Sequence, residues 1–201
     1  MDKRKEEIIE IAIRRFSHYG FAKTTMNEIA DDLKITKANL YYYYPDKGAL
    51  IKDVICTISN GLIAAEEKVV EAYDGDFLET LFALLRIRSE NMRKHYILYI
   101  NDNLDWVRDV NFASFIEQID QRDLDLLKGL LQKAVDDGTL KLDNIAESTL
   151  ALRNIIKGLA LNHTVGDIIC GIPNIDNVDL ILQNQLEAVK LIFEERLVTN
   201  K

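Results

Sequence analysis

The chain has 201 residues, 48% of them hydrophobic, and a formal net charge of -8, which fits a globular protein able to bury a sizeable core in one large domain or two small ones. Cys56 and Cys170 stand far apart with no metal-ligand spacing, so neither a disulfide framework nor a structural zinc site is signalled. No unbroken apolar run approaches the roughly 18 to 20 residues of a membrane span and the chain opens without a secretory leader pattern, so the expectation is a cytoplasmic protein without membrane attachment.

Two prolines and nine glycines are few enough to favour long helices. From Asp2 to Tyr19, Ile8, Ala12 and Phe16 recur every fourth residue among charged ones, an amphipathic helix ended by Gly20. Thr25 followed by Glu28 has capping-box spacing, so a helix starts at Met26, with Ile29 and Leu33 on one face and small Ala30 beside them. Thr36 can cap a second short helix from Lys37 to Tyr44, whose Leu40 and Tyr44 complete a small core with Ile8, Ala12, Phe16 and Ile29 before Pro45 stops it. Leu50, Val54, Ile58, Leu62, Ala65 and Val69 then mark one long helix from about Asp46 to about Tyr73.

Asp74-Gly75-Asp76 signals a turn, and a helix follows from Phe77 to about Lys94. A short helix and a loop are expected across 95–111, where polar residues interrupt the aromatics. Further helices are expected at about Phe112–Asp137, closed by Gly138, at about Asn144–Ile169, capped by Asp143, and at Val178–Leu197. The fold class is all-α, with a three-helix head at 1–46 and a larger helical body at 47–201.

Two short helices joined by a tight turn, the second turning Lys37, Ala38, Asn39, Tyr41 and Tyr42 outward, form the arrangement that places a recognition helix in the major groove of DNA. The Asn39 amide suits an adenine edge and Lys37 suits guanine or a phosphate, while small Ala38 permits close approach. Tyr41 and Tyr43 offer hydroxyls to phosphate oxygens, and the helix starts at Thr25, Thr36 and Lys47 offer further positioning groups. The acidic total does not oppose this reading: residues 1–50 hold nine Lys/Arg against eight Asp/Glu, a balance of +1 that leaves -9 for the rest of the chain, and phosphate binding depends on charge at the contact face. The tyrosine run Tyr41 to Tyr44 reads equally well as packing surface.

Phe21-Ala22-Lys23-Thr24-Thr25, Ile29-Ala30, Thr36-Lys37-Ala38-Asn39-Leu40-Tyr41-Tyr42-Tyr43-Tyr44, Lys47 and Leu50 together resemble the N-terminal signature of the tetracycline-repressor (TetR) family over roughly residues 8–50. Ile8, Ala12, Phe16 and Gly20 stand where that family has its first helix's core residues and terminal glycine. The resemblance implies a DNA-binding head, a helical body that dimerises and binds a small ligand, and release of a near-palindromic operator on ligand binding. Three positions depart from it. Lys34 occupies a turn position commonly held by glycine, at a cost of about 1 kcal/mol in the left-handed region; Gly48 replaces a glutamate and Tyr44 a phenylalanine.

In the body, Val178, Leu182, Gln185, Val189 and Ile192, together with Leu152, Ile155, Ile156 and Leu159, form stripes that suit an internal core as well as a helix-helix seam. The resemblance implies a homodimer interface through the last two helices. Tyr96, Tyr99, Trp106, Phe112 and Phe115, with Asn162 and His163, are the candidate lining of a mainly apolar cavity for a largely apolar inducer, and ordinary core or surface roles serve them too. His163, Asp167 and Cys170 share a helical face at ligand-like spacing, but such residues are far more often hydrogen-bonded or solvated, so no metal and no cofactor are expected. No nucleophile-base set or phosphate loop marks an enzyme. The function expected is a double-stranded-DNA-binding transcriptional regulator, a repressor released by its ligand; the rivals are an all-α small-molecule-binding protein or enzyme without DNA binding, and a purely structural helical dimer.

Overall fold

The computed structural model describes residues 2–99 and 110–198, side chains of 110–112 excepted. Nine α-helices lie among them: α1 Lys3–Lys23, α2 Met26–Asp32, α3 Lys37–Tyr43, α4 Lys47–Glu71, α5 Phe77–Lys94, α6 Tyr96–Tyr99, α7 Val110–Asp136, α8 Ile145–Cys170 and α9 Asn177–Phe193. Trp106 and the side chain of Phe112 fall outside the described residues.

Local chemistry sets the starts. Asp2, Asp46, Asp76 and Asn144 each accept a backbone N–H of the following helix through a side-chain oxygen, satisfying donors that have no partner inside the helix. Asn144 rather than Asp143 caps α8. Gly20, at φ 80°, interrupts α1, and a helical turn resumes as far as Lys23.

The head buries Ile8, Ala12, Phe16, Ile29, Leu40 and Tyr44, with Phe16 and Phe21 meeting edge to face at 5.0 Å. Leu50, Ile51 and Val54 of α4 belong to the same cluster, so the first turns of the long helix are built into the head. Tyr44 is buried as a phenylalanine would be, but its hydroxyl donates to Asp53 Oδ2 at 3.0 Å, which gives a buried phenol the partner it needs. Arg15 pairs with Asp32 through two hydrogen bonds and lies 3.4 Å from Glu28, tying α1 to α2.

In the body, α5 lies at the centre: Phe77, Leu81, Leu84 and Leu85 pack with Leu127, Leu130 and Leu131 of α7 and with Val189 and Phe193 of α9. Among the described residues α4 is the helix long and apolar enough to cross a membrane; its apolar residues instead serve the head core and, through Ile55, Leu62 and Ile63, a cavity in the body.

Lys34, between α2 and α3, adopts φ 53°, the left-handed conformation that costs a residue with a Cβ about 1–2 kcal/mol. Lys34→Gly is expected to raise the unfolding free energy by about 1 kcal/mol, read as a higher denaturant midpoint at unchanged slope.

Candidate nucleic-acid interface and body cavity

The two caps of the head are both formed. Thr25 Oγ1 accepts from the Glu28 N–H at 3.3 Å while Glu28 Oε2 accepts from the Thr25 N–H at 2.7 Å, the reciprocal capping box. Thr36 Oγ1 accepts from the Asn39 N–H at 3.2 Å and starts α3. Because Leu40 and Tyr44 turn inward, the opposite side of α3 is left to solvent: Lys37, Ala38, Asn39, Tyr41 and Tyr42 are all exposed, Tyr42 by 83%. Lys37 Nζ lies 5.6 Å from the centre of the Tyr41 ring, and Tyr42 meets half-buried Tyr43 edge to face at 5.2 Å. Lys47 differs from the rest. Its ammonium donates to the Phe21 carbonyl, and burial lowers its pKa.

A cavity of about 480 Å³ lies between α4, α5, α7, α8 and α9. Its wall is mostly aliphatic, with Ile116, Ile119 and Ile156 among its residues, and it is crossed by a ladder of charges. Arg88 bridges Glu66 and Asp123, each at 2.5 Å; Asp120 receives Arg153 at 2.7 Å and Lys157 at 2.5 Å. Burial pushes the Glu66 carboxyl above the ordinary carboxylate range against the pull of Arg88.

The body is fixed to the head through α6. A Cβ at Gly20 would come within 3.3 Å of the Ile97 side chain, so this glycine answers both a positive φ and a close approach. Beside it, Ser17 Oγ and buried His95 Nδ1 are hydrogen-bonded at 2.8 Å.

The model of the bacterial regulatory proteins, tetR family, matches residues 8–54, the segment that builds this head. Over that segment the chain is similar to the tetR family. The HTH-type transcriptional repressor KstR2 of Mycolicibacterium smegmatis is 22% identical over 142 residues, 70% of this chain and 69% of that repressor. The probable acrEF/envCD operon repressor of Escherichia coli K12 is 36% identical over 52 residues, 26% of this chain and 24% of its own length. The crystal structure of a transcriptional regulator from Cytophaga hutchinsonii covers 98% of this chain and all of its own, with a TM-score of 0.85 and 27% identity. Together the matches make this protein a DNA-binding transcriptional regulator.

The candidate site residues of this chain fall into two groups. Those of the head are exposed at Thr25, at Thr36 and along α3, except Tyr43, which packs half-buried against the head core, and Lys47, whose side chain is held by the Phe21 carbonyl. Those of the body mostly do not share the cavity. Tyr99 lines it, whereas buried Tyr96 donates its hydroxyl to Asp167 Oδ2 at 2.6 Å, Phe115 lies under Lys52 Nζ at 5.5 Å, Asn162 is exposed, and His163 Nε2 pairs with Asn184 at 2.6 Å. Asp167 also accepts from Asn174 and Asn177, which commits it to the α8–α9 connection. Sequence reasoning missed Glu66, Arg88 and Asp123; charged residues on helices read as solvated faces, and only their pairing across three helices reveals them.

Of the two readings open for the stripes, burial selects the subunit's own core for Leu152, Ile156, Val178, Gln185 and Val189. The large apolar residues that α8 and α9 leave outside are Leu150, Leu161, Val165, Ile169, Leu180 and Leu191.

Burial lowers the His95 pKa below its ordinary 6.5, with Lys94 adding to the effect. A depressed folded value favours the neutral ring, so its stabilisation is complete above about pH 6.5 and is lost as pH falls through the folded value. The thermal midpoint is expected to drop on acidification below pH 6.5, and His95→Gln to flatten that part of the profile.

Proposed function

We propose that this protein is a cytoplasmic, homodimeric repressor whose two heads read a near-palindromic operator and whose body releases it when a small, largely apolar inducer occupies the cavity. The observation that carries the reading is the outward face of α3. Lys37, Asn39 and Tyr42 stand free on a helix held by Leu40 and Tyr44, with Thr25, Thr36, Tyr41, Tyr43 and the Lys47 amide placed to hold phosphates. Asn39 and Lys37 read base edges, and Ala38 lets the helix approach. The head, residues 1–46 together with the first turns of α4, moves as one piece on the body formed by the remainder to 201.

One short helix reads few base pairs, so a second copy about 34 Å away along the duplex supplies the other half-site. The solvent-facing row Leu161, Val165 and Ile169 on α8, with Leu180 and Leu191 on α9, supports pairing of the last two helices with those of a partner, because contiguous exposed apolar side chains of this kind mark interaction surfaces.

Duplexes selected from random or genomic fragments test the first part. Asn39→Ala with Tyr42→Ala should weaken the selected duplex by roughly 10- to 100-fold while leaving the unfolding midpoint in place, and an affinity that is unchanged and indifferent to salt would sink the reading. Val165→Glu with Ile169→Glu should convert a dimeric particle into a monomer in sedimentation analysis and lower duplex affinity in parallel. Ala160→Trp, which fills the cavity, should leave duplex binding intact and abolish release by any inducer.

A further inference from the structure

The charged ladder determines what kind of molecule the cavity accepts. On the wall, each cationic side chain is already held by carboxylates: Arg88 by Glu66 and Asp123, and Lys157 by Asp120. An anionic ligand reaching Arg88 has to pull apart a largely buried ion pair and leaves a carboxylate there without its partner, whereas the Lys157–Asp120 pair lies at the more exposed end of the ladder. Acceptors, by contrast, are in surplus. Glu66 is 2% exposed, it lines the cavity, and its Oε1 takes the Arg88 Nε–H. Its second oxygen has no hydrogen-bond partner among the described residues.

Asp123 shows the same imbalance more mildly. Its Oδ2 faces Arg153 Nε at 3.5 Å without a hydrogen bond between them, so the guanidinium of Arg88 is shared by two carboxylates of which neither is fully satisfied. Tyr99 stands in the same corner, its hydroxyl accepting from Asn91 Nδ2 at 3.2 Å and its phenol within reach of the charges on Arg88 and Glu66. A carboxylate with a free oxygen, an aromatic ring beside it and aliphatic walls beyond are the surroundings that favour a desolvated positive charge.

We propose that the ligand of this cavity is an organic cation with an apolar body, its charge seated against Glu66 beside Tyr99 and its hydrocarbon along Ile116, Ile119 and Ile156. The assignment rests on the ligand-responsive reading above and narrows it to one chemical class. With Arg153 also facing Asp123, the place left for a positive charge is the second oxygen of Glu66, whereas a carboxylate or phosphate ester of the same shape would set a further negative group against it.

Three probes of matched length separate the possibilities: decyltrimethylammonium, decan-1-ol and decanoate, each kept below its aggregation concentration and titrated into the full chain by calorimetry. The cation should bind at least tenfold more tightly than either of the others. Glu66→Gln should remove that preference, and Tyr99→Leu, at a half-exposed position, should weaken the cation selectively should the first variant fail to fold. The cation class is overturned by an alcohol or decanoate affinity equal to or above that of the cation, by no response to any of the three, or by a preference that survives in folded Glu66→Gln. Gel shifts with the selected duplex on the same samples keep the two readings apart: duplex binding without cation preference removes only the ligand class, and absence of duplex binding removes the regulator.

Discussion

The inward anchoring of α3 governs what this protein can do. Leu40 and Tyr44 lie four residues apart and both reach the head core, so the 3.6-residue period leaves Lys37, Ala38, Asn39, Tyr41 and Tyr42 no place but solvent. A helix of seven residues is too short to hold its own conformation in water. It persists because Thr36 caps its start, Leu40 and Tyr44 bury its other side, and the Arg15–Asp32 pair holds the helix before it against α1.

From that core outward the structure is continuous. Leu50, Ile51 and Val54 at one end of α4 are head residues, and Ile55, Leu62, Ile63 and Glu66 further along are cavity residues. A side chain or ligand that shifts α4 at the cavity therefore shifts a helix whose first turns are embedded in the head. The second connection, α6 against α1 at Gly20 and Ser17, gives the head two supports on the body. Two supports allow tilting rather than free rotation, the motion that the proposed change in head spacing requires.

Much of this was legible in the residues. Helix boundaries near Met26, Lys47 and Phe77 were marked by caps or turn signals, and the every-fourth-residue spacing in α1 identified the head core. The strained turn at Lys34 was readable through the resemblance alone, which commonly has glycine there; the backbone indeed takes a positive φ. The body was harder for a definite reason. Periodicity shows which residues of α8 and α9 share a face but not which of two apolar faces turns inward; Leu152, Ile156, Val178 and Val189 went to the core and Leu161, Val165 and Leu191 to the outside. The cavity corner was hidden more deeply, since Glu66, Arg88 and Asp123 come from three helices and nothing in their spacing relates them.

The bond from Lys47 to the Phe21 carbonyl has a thermodynamic consequence at the operator. Each cation that replaces condensed counterions on a duplex contributes about 0.9 to the logarithmic dependence of affinity on electrolyte concentration. An ammonium held on the carbonyl at the kinked end of α1 keeps its charge but makes no direct pair with a phosphate, so on the proposed reading the start of α4 would meet the duplex through its amide dipoles.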